Sequence, residues 1–196
     1  MITEDHPALD QHIADRIHAL RSAHGLSLAS LAGSSGVSRS MISLIERAET
    51  SPTAVVLEKL ATALGVPLAS LFAPVLPPGE PVARLADQRP WKDPASGYVR
   101  RNVSPASCGS PIQIVEVSFP PRARIAYETG ARGLLIHQQV WMLDGAIDVH
   151  VGDDRHRLDR GDCLALVLDR PMIFHNPHRK TARYAVVLVT DALSRK

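Results

Sequence analysis

The sequence predicts an α+β chain, a five-helix bundle followed by an antiparallel β sandwich or barrel. Three observations predict it. Apolar residues recur at helical spacing from Leu9 to Phe72. A stiff break follows, with Pro74, Pro77, Pro78 and Pro81 around Gly79. Beyond it the helical period disappears, and short β-type runs alternate with turn residues. The expected boundaries are a helical domain over 1–73, a Pro-rich linker over 74–82 and a β domain over 83–196.

Leu9, Ile13, Ile17 and Leu20 give a first amphipathic helix, ended by Gly25. Ser27 to Ser51, SLASLAGSSGVSRSMISLIERAETS, then reads as two short helices joined by a tight turn. Ala32 is small enough to let the second helix approach closely. Gly36 supplies a left-handed turn residue, and Val37, Ile42 and Ile45 hold the crossing angle. Ser38 caps the second helix. This is the spacing of a DNA-reading helix-turn-helix. Ser51-Pro52-Thr53 starts a fourth helix, with Ser51 as cap and Val56, Leu57, Leu60 and Leu64 inward as far as Gly65. Pro67 opens a short fifth helix through Leu71-Phe72.

Nine runs are expected as strands: VARLA, GYVRRNV, IQIVEVSF, ARIAY, LLIHQQVWML, AIDVHV, HRL, CLALVL and ARYAVVLV. Asp144-Gly145 and Gly152-Asp153-Asp154 mark hairpin turns. Evenly spaced short strands of this kind build sandwiches and barrels.

The chain has 196 residues, 45% of them hydrophobic, enough to bury a core. No apolar run approaches the roughly 20 residues of a membrane-spanning helix, and the polar, acidic start is unlike a secretory signal. Cys108 and Cys163 stand apart without metal-ligand spacing, so two buried thiols in a reducing cytoplasm are expected. Residues 1–75 carry five Lys or Arg against seven Asp or Glu, whereas 76–196 carry seventeen against thirteen. A DNA-binding half with a negative balance departs from the usual basic footprint. Placement offsets this: Arg39, Arg47 and Lys59 lie on or near the reading surface, and Glu4, Asp5, Asp10 and Asp15 lie near the start.

In a helix-turn-helix the N-terminal end of the second helix enters the major groove. Arg39 is the candidate for a bidentate contact to guanine. Ser40 and Ser43 are short polar readers, and Met41 and Leu44 suit a thymine methyl. Ser27, Ser38 and Thr53, at helix starts, are candidate phosphate contacts, and Arg47 completes the set. The bland alternative is a helical bundle that merely contains a tight turn.

Residues 9–72, with VSRSMISLIERAETSPT and LEKLATALGVPLASLF, resemble the XRE-type helix-turn-helix family, related to the phage lambda repressor DNA-binding domain. The resemblance implies a lambda-repressor-like bundle that binds double-stranded operator DNA. Two positions depart from it. Leu28 stands where many relatives have a phosphate-holding Gln, and Ala48 replaces the frequent Gly after the reading helix, which implies a strained or reshaped helix end.

Residues 112–190, with WMLDGAIDVHVGDDRHRLDRGDCLALVLDRPMIFHNP, resemble a cupin, with Gly145, Gly152, Gly161-Asp162 and Pro171 at the expected turns. That implies a cupin-type antiparallel double-stranded β-barrel. The two halves together look like bacterial XRE–cupin transcription regulators, in which the barrel is thought to sense a small molecule. Many cupins hold a metal through two His, a Glu and a later His. Carried over, those positions fall near Ala131 and Gly133, at Gln138 and at Met172, none of them a ligand of the expected type. No metal and no other cofactor is therefore expected, and no catalytic residue is assigned. A substitute site on His137 and His175 would require the strand register to slip by one.

Alternation puts Gln138, Val140 and Met142 inward and His137, Gln139 and Trp141 outward. Val140, Met142, Met172 and Gln138 form the candidate effector lining, with Tyr98, Arg100, Arg124 and Tyr127 as a polar rim suited to an anionic or amide-bearing molecule. The same apolar residues also suit a filled core. Trp141 and Leu143 outside suit a second sheet or a partner subunit. The expected protein is a cytoplasmic homodimer that regulates transcription through a metal-free sensor barrel. The alternative is a metal-dependent cupin enzyme carrying an accessory DNA-binding domain.

Overall fold

A computed structural model describes residues 6–72, 81–105, 110–128 and 134–192. Backbone contacts divide the chain into two units, Met1–Pro74 and Val75–Lys196. The Pro-rich stretch falls almost wholly at 73–80, outside the described residues.

Among the described residues the first unit has four α-helices: α1 (His6–Ala23), α2 (Leu28–Ser35), α3 (Arg39–Glu46) and α4 (Ala54–Ala63). The expected fifth helix is instead a 3₁₀ turn at Leu68–Leu71. Pro67 fixes its start, but four residues are too few to close an α-helical ladder. Leu9, Ile13, Ile17, Leu31, Ile42, Ile45, Leu57, Leu60, Leu64 and Leu71 are buried and form the core. Leu20, expected inward, is half-buried at the rim. Thr53, not Ser51, caps α4, its hydroxyl accepting from the Val56 N–H at 3.3 Å. Ser51 donates to the Asp10 carboxylate instead, which ties the loop back to α1.

Among the described residues the second unit has ten strands: β1 (Pro90–Lys92), β2 (Val99–Asn102), β3 (Ile112–Phe119), β4 (Arg124–Tyr127), β5 (Leu134–Asp144), β6 (Ala146–Val151), β7 (Asp154–Asp159), β8 (Cys163–Val167), β9 (Met172–His175) and β10 (Ala182–Ala192). All pairs are antiparallel. They form a six-stranded sheet, β1-β2-β3-β10-β5-β8, and a separately hydrogen-bonded four-stranded sheet, β4-β9-β6-β7. VARLA is not a strand: its end lies in a 3₁₀ turn at Leu85–Asp87, and Val82 and Leu85 are exposed, with no sheet to bury them. Two short strands, β1 and β9, appear where none was expected.

Aromatic rings join the two sheets. Phe174 of β9 stacks on Tyr184 of β10, centroids 5.8 Å apart, and Phe119 meets Tyr184 edge-on at 6.2 Å. Gly145 makes the β5–β6 turn at φ +74°, where a Cβ would lie 3.1 Å from the Ala182 Cα. Buried Asn176 closes the end of the domain. Its Nδ2 donates to the carbonyls of Phe119, Pro120 and Lys180, and its Oδ1 accepts from the His178 N–H.

Candidate nucleic-acid interface and interior ligand site

The turn between α2 and α3 is built as its residues require. Gly36 adopts φ +68°, and its N–H closes α2 on the Ala32 carbonyl at 3.0 Å. Val37 is buried, and Ser38 Oγ accepts from the Met41 N–H at 3.2 Å. Ile42 and Ile45 pin the inner face of α3. Glu46 fixes its end to α1: Arg21 donates through Nε and Nη2 to both Glu46 carboxylate oxygens, at 2.6 and 2.8 Å, and through Nη1 to the Leu26 carbonyl. His18 adds a contact of 3.1 Å. Burial pushes the Glu46 carboxyl up, but the hydrogen bonds from Arg21 and His18, with the charge of Arg21, outweigh it and hold the group below its ordinary value.

The opposite side of α3 is open. Arg39, Ser40, Met41 and Arg47 are exposed, while Ser43 and Leu44 are half-buried. Ser27 caps α2 by accepting from the Ser30 N–H at 3.0 Å. The hydroxyls of Ser27, Ser38 and Thr53 all accept a backbone N–H. An accepting hydroxyl keeps its own proton, so each can still donate to a phosphate. Glu49, which sequence reasoning passed over, lies beside Arg47 and takes both ends of its guanidinium fork.

In the β domain the alternation along β5 is as read: Ile136, Gln138, Val140 and Met142 are buried, and His137, Gln139 and Trp141 are exposed. Tyr98, Arg100 and Met172 are also buried. Tyr98 and Tyr127 bring their hydroxyls to 3.4 Å. Burial drives the Tyr127 and Tyr184 phenols well above their ordinary range, with nearby Arg100 opposing, so both stay protonated donors. Arg124 does not join them. Ile125 and Phe174 face each other in register on the inner side, which puts Arg124 on the outer face, exposed, opposite His175.

Two further polar groups line the same interior. Gln113 and Gln138 flank buried Leu188 in register, and Asn102 pairs with buried Val115. Gln113 Oε1 is buried with no hydrogen-bond partner among the described residues. A polar residue in a strand reads as solvent-facing, so only the burial of its i+2 neighbour Val115 could have flagged it.

His137 faces out from the six-stranded sheet and His175 out from the four-stranded one, so the two do not meet. Gln138 and Met172 do face inward, but an amide and a thioether do not fit the imidazole and carboxylate set of a divalent site. Ala131 and Gly133 lie outside the described residues. Among the described residues no group of three or more His, Cys, Asp or Glu is placed to hold a metal ion. Cys163 is exposed rather than buried: it pairs with Trp141 on the outward parity of β8. Cys108 lies outside the described residues. No described helix is long and apolar enough to cross a membrane.

This geometry defines the class: a helix-turn-helix head followed in the same chain by a β domain of two antiparallel sheets. Residues 17–71 match the helix-turn-helix family HTH_3, and the chain carries an XRE-type domain of that family. It is 27% identical over 183 residues to the HTH-type transcriptional regulator SutR of Escherichia coli K12, covering 90% of this chain and 93% of the relative. An HTH_3 family transcriptional regulator from Vibrio cholerae shares the fold, with a TM-score of 0.73 at 21% identity over 93% of this chain and 97% of that one. A looser likeness, TM-score 0.42 at 13% identity, links 47% of this chain to 95% of a Cupin_2 domain from an XRE family regulator of Enterobacter cloacae.

Proposed function

We propose that this chain is a DNA-binding transcription regulator, a homodimer whose helical head reads an operator and whose β domain senses a small molecule without a resident metal. The observation that carries the DNA reading is the two-sidedness of α3. One side is locked by Ile42, Ile45 and the Glu46–Arg21 pair, while Arg39, Ser40 and Met41 project from its capped N-terminal end. A helix held this way presents its readers in fixed register to a major groove.

The interior of the β domain supports the sensor reading. Arg100, protonated Tyr127 and Tyr184, and the amides of Gln138 and Gln113 share the inward strand faces with apolar Val140, Met142 and Met172. Donors of this kind suit an anionic or amide-bearing molecule with an apolar body. Trp141, 50% exposed on the outer face beside Ala185 and Cys163, supports pairing of two copies. Two copies would place two reading helices on a palindromic site.

The DNA reading is tested by selecting duplexes from a random library and measuring affinity by fluorescence anisotropy. Arg39→Ala should cost about 1–3 kcal/mol on the selected duplex and relax preference at one base pair. Unchanged affinity and preference would remove Arg39 from the readers.

A further inference from the structure

Arg47, the exposed cation that follows the reading helix, is already engaged. Its Nε and Nη2 donate to the two carboxylate oxygens of Glu49 at 2.7 and 3.0 Å, and Nη1 donates to Ser43 Oγ at 2.5 Å. The planar fork is thus filled by a two-oxygen anion, in the manner in which a guanidinium takes a phosphodiester. The backbone puts Glu49 there. Ala48 adopts φ +54° between the two residues, and the Glu49 N–H returns to the Leu44 carbonyl at 3.0 Å. Both side chains of the pair are half in water, 52% exposed each, so an external anion can exchange with the carboxylate. Each hydrogen bond also stabilises the charged form of its partner: Arg47 is raised and Glu49 lowered from their ordinary values.

We propose that Glu49 is an intramolecular competitor for the phosphate ligand of Arg47 and thereby sets the sequence-independent part of duplex affinity. This rests on the DNA-binding reading above. For Arg47 to hold a phosphate the pair must open, and the displaced carboxylate then lies beside the DNA backbone. Both effects oppose the phosphate-driven part of binding, which needs no particular base sequence. The helical half of the chain carries more acidic than basic residues, so one cation withheld is a large fraction of its supply.

The test uses the full chain and a mixed-sequence duplex, so no operator need be known. Affinity is followed by anisotropy across a salt series. Glu49→Gln should tighten binding about three- to tenfold at low salt and steepen the log K against log salt slope by about one. In an Arg47→Gln background the same substitution should give less than half of that gain, because the competitor then has nothing to withhold. An equal gain in that background would show a general charge effect and overturn the proposal. So would a Glu49→Gln protein with unchanged or weaker binding, which would mean that Glu49 positions Arg47 in the complex. If neither the native chain nor the variants bind any duplex at low salt, the DNA reading itself falls. Binding by the native chain without a gain in the variant sinks only the role of Glu49.

Discussion

Glu46 carries the most consequential single contact in the helical unit. Its side chain is 8% exposed and bidentate with Arg21, so α3 cannot tilt without breaking both bonds. The carboxyl is held below its ordinary value, so the pair stabilises the fold above the unfolded carboxylate range near pH 4.3. That contribution is lost as the pH falls through the folded value. Glu46→Gln should therefore cost about 1–3 kcal/mol at neutral pH and flatten the loss of stability below about pH 4.5. Denaturant melts at pH 7 and pH 4 check this, and an equal cost at both would remove the ionised pair as its cause. At this scale the sequence was partly legible. Ser27, Ser38 and Thr53 sit at helix starts because their hydroxyls suit free N–H groups, which local sequence reveals. Whether Arg124 shares a face with Tyr127 depends on strand parity, which neither residue reveals alone.

Among elements, α3 shows what local signals settle and where they stop. Its capping Ser38, its inward Ile42 and Ile45 and the Gly36 turn before it all follow from residue type and spacing. Its far end is less ordinary. Ala48 takes φ +54°, a left-handed conformation that costs a residue with a β-carbon about 1 kcal/mol. Ala48→Gly should raise the melting temperature of the helical unit, a gain of about 0.5–1 kcal/mol. A lower melting temperature would show that the bend carries no strain. Short elements escaped the reading for a physical reason. β1 and β9 have three and four residues, at most two repeats of a period-two pattern, too few to stand out in the sequence. The LASL segment after Pro67 failed in the opposite sense: helical text with too little length to be an α-helix.

For the molecule as a whole, the proposed pairing of two copies turns on one exposed side chain of the β domain. Trp141 stands half-exposed among small and apolar neighbours, Ala185 and Cys163, on the outer face of the six-stranded sheet. If this face joins two copies, Trp141→Glu should shift the protein from dimer to monomer in sedimentation, because a carboxylate would be desolvated at the contact. A dimer that persists unchanged would place the contact elsewhere. The division of texture around the Pro-rich stretch was evident from composition, since helical and strand periods cannot be confused over runs this long. The polar interior was not, because Asn102 and Gln113 turn inward through strand register, opposite Val115 and Leu188 of neighbouring strands, and not through anything next to them in the chain.

The position of β10 has a consequence for how the chain matures. It is the last described strand in chain order, yet it lies between β3 and β5 in the middle of its sheet. A nascent chain that has emerged only as far as β9 holds two halves of a sheet with no strand between them. The helical unit, built from local contacts, can order itself as it emerges. The β unit must wait for Ala182–Ala192, with the edges of β3 and β5 open until then. Synthesis thus passes through an interval in which the helical unit is finished and the β unit is not, and in that interval the open strand edges are the part of the chain that most needs shielding.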